Sequence, residues 1–91
     1  MERLPDNVVA YKRTPVFEED TVPEGLLQEH TTKPAVWGRI VVLEGRLRYT
    51  IHEPAREVHV LEPGHEGIIA PAMKHEILPL GRVRFYIEFN K

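Results

Sequence analysis

The chain contains no cysteine. That excludes a disulfide framework, a thiolate zinc finger, a cysteine nucleophile and any thiol relay; a bound metal would have to take nitrogen and oxygen ligands. It has no long apolar run: stretches such as Ile40 to Leu43 fall far short of the roughly 20 residues that span a bilayer as a helix. Neither sign of charge dominates, with 12 Lys and Arg against 14 Asp and Glu for a net charge of −2, so there is no electrostatic footprint for nucleic acid. The opening MERLPDNVVAYKR offers acids and a proline where a secretory peptide needs a basic start and an apolar block. The expected location is the cytoplasm, with neither nucleic acid nor membrane among the partners. What is present, 42% hydrophobic and 29% charged residues over 91 positions, is ordinary globular composition for one small domain, 1–91.

Helices have almost nowhere to form. Eight prolines and six glycines are spread along the chain, each disruptive inside a helix, and the longest stretch free of both, 82–91, alternates with period two. The expected fold class is therefore all-β. Leu47, Tyr49 and Ile51 share one face against Arg46, Arg48 and Thr50; Val83, Phe85, Ile87 and Phe89 share one face against Arg82, Arg84, Tyr86 and Glu88. The run 36–43 is apolar nearly throughout, as in a strand covered on both sides. Glu44-Gly45 reads as a hairpin link, Pro63-Gly64 as a type II turn, and Glu53-Pro54-Ala55 and Gly81 as further reversals. About eight short strands result, at 8–12, 26–31, 36–43, 46–52, 56–61, 67–70, 75–78 and 82–89. Regular short strands favour a small closed β-barrel or jelly roll. Residues 1–20 read as an N-terminal arm or edge strand, and a symmetric homodimer is the default assembly.

Without cysteine, metal or acid–base chemistry falls first on histidine and carboxylate. His52, His59 and His65 lie at a strand end, on a polar phase and in a turn, and read as solvated. His30, ahead of a threonine pair, and His75, opening a strand after Pro71-Ala72-Met73-Lys74, are placed to converge at the mouth of a small barrel, where ligands sit. Lys33 and Arg39, flanking Trp37, are candidate ligand-binding cations, Arg39 through its planar donor fork; pairing with a local glutamate is the competing role for Arg39. Trp37 itself reads as core or interface.

The spacing from Gly64 to His75 matches the glycine-to-histidine spacing of the second cupin motif. Ala70 and Ala72 replace its proline and inner glycine, and Pro79 replaces its asparagine. In the first motif Gly45 can close the pattern, Gly38 replaces the glutamate, and His30 is the histidine that remains, out of register. Over nearly the whole length, YKRTPVF at 11–17, HTTKPAVWGRIVVLEGRLRY at 30–49 and VRFYIEF at 83–89 resemble the small tellurite-resistance-related, cupin-like family of unknown biochemical function. That domain occurs alone and also ahead of the methyltransferase domain of some tellurite-resistance methyltransferases.

The resemblance implies a cupin-like binding module that holds a metal ion or small anionic ligand near His30 and His75 without turnover. The divalent metal would be Zn, Ni or Fe, since imidazole suits all three. A cupin centre normally uses three histidines and one glutamate, whereas the carry-over supplies two ligands; Glu88 is a third candidate whose strand phase turns it outward. The alternative is a metal-dependent cupin-type enzyme, a dioxygenase or isomerase, with Lys33 or Arg39 orienting a small carboxylate. Catalysis is open at this point. Methyl transfer is not expected, because these residues hold no Gly-rich strand-to-helix turn for a nucleotide-like cofactor.

Overall fold

In the computed structural model the backbone of residues 1–91 is described, with every side chain except that of His30. Seven strands occur in the order β1 (Ala10–Arg13), β2 (Phe17–Glu18), β3 (His30–Thr31), β4 (Trp37–Ile51), β5 (Glu57–Leu61), β6 (Gly67–Ile69) and β7 (Lys74–Asn90), with one 3-10 turn at Glu24–Leu26. Among the described residues there is no α-helix, as the proline and glycine spacing predicts, and no helix long and apolar enough to cross a membrane.

Two strands, 15 and 17 residues long, organise everything else. β4 and β7 pair antiparallel from Trp37↔Asn90 to Ile51↔His75. The second edge of β7 takes β1 at Glu88–Asn90, β2 at Arg84 and Phe85, and β3 at Lys74 and His75; the second edge of β4 takes β6 along Gly38–Ile40 and β5 along Leu47–Ile51. The expected arm 1–20 thus supplies β1 and β2 to an edge of β7.

The eight short strands resolve into fewer, longer ones because two glycines act as bends rather than reversals. Register shifts fall between Val42 and Glu44 and between Gly45 and Leu47, and Gly45 and Gly81 have φ of 79° and 90°. Extra residues opposite a ladder bend and twist the strand without ending it. Runs 36–43 and 46–52 therefore fuse into β4, and 75–78 and 82–89 into β7. Pro63-Gly64 does form its tight turn: Glu62 and His65 exchange backbone hydrogen bonds of 3.3 and 2.8 Å around Gly64. The run 26–31 is replaced by the 3-10 turn and the two-residue β3.

The bend folds the sheet over itself. Ile40, Val42, Val83, Phe85 and Ile87 from one half meet Leu47, Tyr49, Ile51, Leu61 and Ile77 from the other in one buried cluster, the alternating residues that the period-two pattern turned inward. The Tyr49 hydroxyl, in one half, donates to the Ile68 carbonyl in the other at 2.8 Å. The expected closed barrel does not form: the strand path runs β1-β7-β4-β5, and among the described residues no pairing joins β1 to β5. Nor is 36–43 covered on both sides, since Leu43 is 41% exposed while Ile40 and Val42 are buried.

Candidate functional site

β3 lies across the start of β7, and its register sets His30 directly opposite His75 and Thr31 opposite Lys74. The two histidine positions expected to converge are cross-strand partners; the side chain of His30 lies outside the described residues. His75 is 2% exposed. Its Nδ1 lies 2.9 Å from the Met73 carbonyl, which can only accept, so Nδ1 carries a proton. Beneath it the Tyr49 ring packs edge-on, with centroids 6.1 Å apart. Burial pushes the Tyr49 phenol well above its usual range, which keeps it a neutral donor to Ile68.

Beside His75 opens a cavity of about 220 Å³. Buried Ile69, His75 and Ile87 form its inner wall, with Leu26, Val36 and Phe89; Tyr11 and Lys12 come from β1, and Thr31, Thr32 and Lys33 from β3 and the turn after it. Thr32 is 8% exposed, and among the described residues its hydroxyl has no hydrogen-bond partner. A buried hydroxyl left unpaired costs about 1–3 kcal/mol, a cost that a polar group in the cavity would relieve. The turns on either side carry alanines in the left-handed region, Ala35 at φ 65° and Ala72 at φ 57°, which costs roughly 1–2 kcal/mol per residue relative to right-handed backbone. Two lysines, two threonines and apolar walls suit a small anion with an apolar body.

Of the predicted site residues, Lys33 and His75 line this cavity and Arg39 does not. Arg39 alternates with buried Ile40 and so lies on the outer face of β4, where it takes the competing role. Its Nε and Nη2 donate to the two carboxylate oxygens of Glu88 at 3.2 and 3.3 Å, and Nη1 donates to Glu66 at 3.1 Å. Burial works to lower the Arg39 pKa, but the Glu88 hydrogen bonds and the charge of Glu66 outweigh it and raise it. Glu88 is outward, as its phase predicts. His52 and His59 are more engaged than solvated residues: their Nε2 atoms lie 2.6 Å from Glu76 and 2.9 Å from Glu57. Among the described residues no three His, Asp or Glu side chains gather in a way that could hold a metal ion. Thr32, Thr31, Tyr11 and Lys12 were not singled out from sequence. The signal for the first two was the Thr-Thr-Lys run after His30, which has no period to say which residue turns inward.

The TehB-like domain profile matches residues 12–87. The chain is 28% identical over 78 residues to the probable S-adenosyl-L-methionine-dependent methyltransferase TehB of Haemophilus influenzae, covering 81% of this chain and 27% of that protein. It therefore spans little more than a quarter of that relative. It is also 28% identical over 86 residues to the uncharacterized protein YeaR of Escherichia coli K12, covering 85% of this chain and 71% of YeaR. A crystal structure of an E. coli K12 protein superposes with a TM-score of 0.88 at 26% identity, covering 100% and 97% of the two chains. The crystal structure of H. influenzae TehB shares the fold, with a TM-score of 0.86 at 24% identity over 93% of this chain and 32% of that one.

Proposed function

This chain belongs to the TehB-like domain family, and from that premise we propose that it is a tellurite-resistance-related binding domain that holds a small anionic ligand in the cavity beside His75 without turning it over. The observation that carries this reading is the buried Thr32 hydroxyl, without a hydrogen-bond partner among the described residues, in a wall that also presents Lys33. A hydroxyl can donate to an anionic oxygen, and a lysine supplies charge without demanding one geometry. The apolar walls from Ile69, Ile87 and Phe89 would take the uncharged part of such a ligand. Methyl transfer belongs to the name of the longer relative TehB; here the reading is capture, with any chemistry supplied elsewhere.

A divalent ion between His30 and His75 is a second reading, favoured by their register alone. Zinc-type sites use three or four protein ligands, and the described residues do not supply them, so no step is routed through a metal. The cupin-type enzyme loses one of its two orienting cations, because the fork of Arg39 is occupied by Glu88 and Glu66; Lys33 stays in the cavity wall, where capture needs no more than its charge.

Titration calorimetry with tellurite and with a series of short-chain carboxylates tests the proposal. Binding by the native chain that weakens in Thr32→Val and Lys33→Ala, and persists in Arg39→Ala, is the expected result. No heat from any of these anions, or equal affinity in all four proteins, would overturn it. Metal analysis of the native chain and of a His30→Ala, His75→Ala double variant addresses the ion.

A further inference from the structure

β5 is an edge. It pairs with β4 along Leu47–Ile51 and, among the described residues, with no other strand. Exposed edges in natural sheets are usually blunted by proline, by a bulge or by charge at the outward positions. β5 instead turns out Val58 at 50% exposure and Val60 at 41%, with no bulge in its register. Such an edge invites another strand.

The order of the outward residues says which strand. Within β5 positions 58 and 60 are both Val, and the positions that flank the strand on the same phase, 56 and 62, are Arg and Glu; all four are exposed. Run antiparallel to itself about His59, this series is its own complement: Arg56 falls opposite Glu62 of the second copy, Val58 opposite Val60, and each contact occurs twice by symmetry. Among the described residues neither Arg56 nor Glu62 makes an ion pair within the chain, whereas Glu57, on the alternate phase, is already held by the Met1 amine and His59. Arg56 and Glu62 are thus available to the two-fold pairing.

The neighbouring strands continue the pattern. Val60 is the cross-strand partner of Arg48, which in turn partners Leu78, itself 39% exposed. In the next row Val58 partners Thr50, and Thr50 partners Glu76. At the join, the row Leu78–Arg48–Val60 of one copy would meet Val58–Thr50–Glu76 of the other. That merges the apolar outer patches and places Arg48 and Glu76 in one continuous row.

We propose that β5 is a homodimerisation edge, through which two copies of this chain join antiparallel about His59 into one continuous sheet, with Arg56 and Glu62 as reciprocal cross-strand ion pairs. A five-residue strand is short beside the ~20–30 residues per side of a standard interface, so the dimer is reversible and concentration-dependent. The proposal does not depend on the ligand cavity.

Sedimentation velocity on the native chain from about 10 µM to about 1 mM tests it, with Arg56→Glu, Glu62→Arg and the Arg56→Glu, Glu62→Arg exchange, each checked for native circular dichroism. The native chain is expected to dimerise. Each single reversal, which sets like charges opposite one another twice, should weaken the dimer about tenfold or more, and the exchange should restore it. A chain that stays monomeric throughout, single reversals that leave association unchanged, or an exchange that fails to recover it would overturn the proposal. Because all three variants change exposed side chains, folding failure is not expected. Protection of β5 amides from hydrogen exchange that rises with native protein concentration is the independent readout, and its absence counts against the edge.

Discussion

Gly45 lies against the backbone of Arg82 so closely that a Cβ at position 45 would sit 1.9 Å from the Arg82 carbonyl oxygen. The corner of the fold depends on that contact, because the bend of β4 crosses the bend of β7 there.

Gly45→Ala is therefore expected to be among the most damaging single substitutions, costing about 3 kcal/mol or more, since it combines a left-handed backbone with a backbone clash. Gly64→Ala and Gly81→Ala share the positive φ but have open space around the added carbon, and should cost about 1–2 kcal/mol each. Urea unfolding of the three variants checks the order. A Gly45→Ala protein no less stable than Gly81→Ala would remove the packed corner.

Thr32→Val keeps the shape of the side chain and removes the unpartnered hydroxyl. In the absence of ligand it should leave the protein as stable as before or more stable by about 1 kcal/mol, because an orphaned polar group disappears. A thermal melt reads this directly. A large loss of stability would mean that the hydroxyl has a partner within the fold.

Arg39→Ala leaves Glu66 and Glu88 without the cation between them. Both partners and the arginine itself are partly exposed, so the loss should be modest, about 1 kcal/mol. Arg39→Lys should recover only part of it, because a single ammonium cannot replace the bidentate contact with Glu88. Denaturant midpoints at low and high salt separate these effects, with the difference between native and Arg39→Ala shrinking as salt screens the pairs.

Glu19 and Glu57 are expected to contribute to the acid side of the stability curve. The backbone N–H of Val83 donates to Glu19 at 3.1 Å and lowers its pKa; Glu57 is lowered first by its hydrogen bond from the Met1 amine and then by His59. A carboxylate with a depressed folded pKa contributes stability that is fully present above its ordinary value of 4.5 and is lost as the pH falls through the depressed one. Stability should thus decline below about pH 4.5, and Glu19→Gln should flatten that decline while lowering stability at neutral pH. Chemical denaturation at pH 3, 5 and 7, with about those values bracketing the carboxylate range, measures it. A Glu19→Gln protein with the native pH slope would show that the contact with Val83 is not coupled to folding.

Much of the fold was legible because burial is one-sided. Leu47, Tyr49 and Ile51, and Val83, Phe85 and Ile87, alternate with Arg, Thr and Tyr, the pattern of a strand that packs one face on a core; of that second set only Thr50 is buried as well. The outward phase of Glu88 could be read the same way, but its partner Arg39 could be offered only as one of two roles. Gly45 and Gly81 misled because a glycine at positive φ serves a hairpin and a bulge equally well, and the choice depends on what lies across the ladder. Thr32 was illegible for a similar reason: the cavity wall that it joins is completed by Tyr11 and Lys12 of β1, Ile69 of β6 and His75, Ile87 and Phe89 of β7, all far from it in the chain.

The sequence by itself determined that this is a β protein without thiol chemistry, and which side of its strongest strands turns inward. These follow from composition and from side-chain alternation over a few residues. Only the tertiary structure decided that His30 pairs with His75 across a ladder, that a cavity opens beside His75 with Thr32 in its wall, that Arg39 is held on the outer face of β4, and that β5 ends as an edge. Each of those depends on register between distant segments and on the bend where Gly45 meets Arg82, and the free energy of such pairings resides in contacts that no local stretch contains.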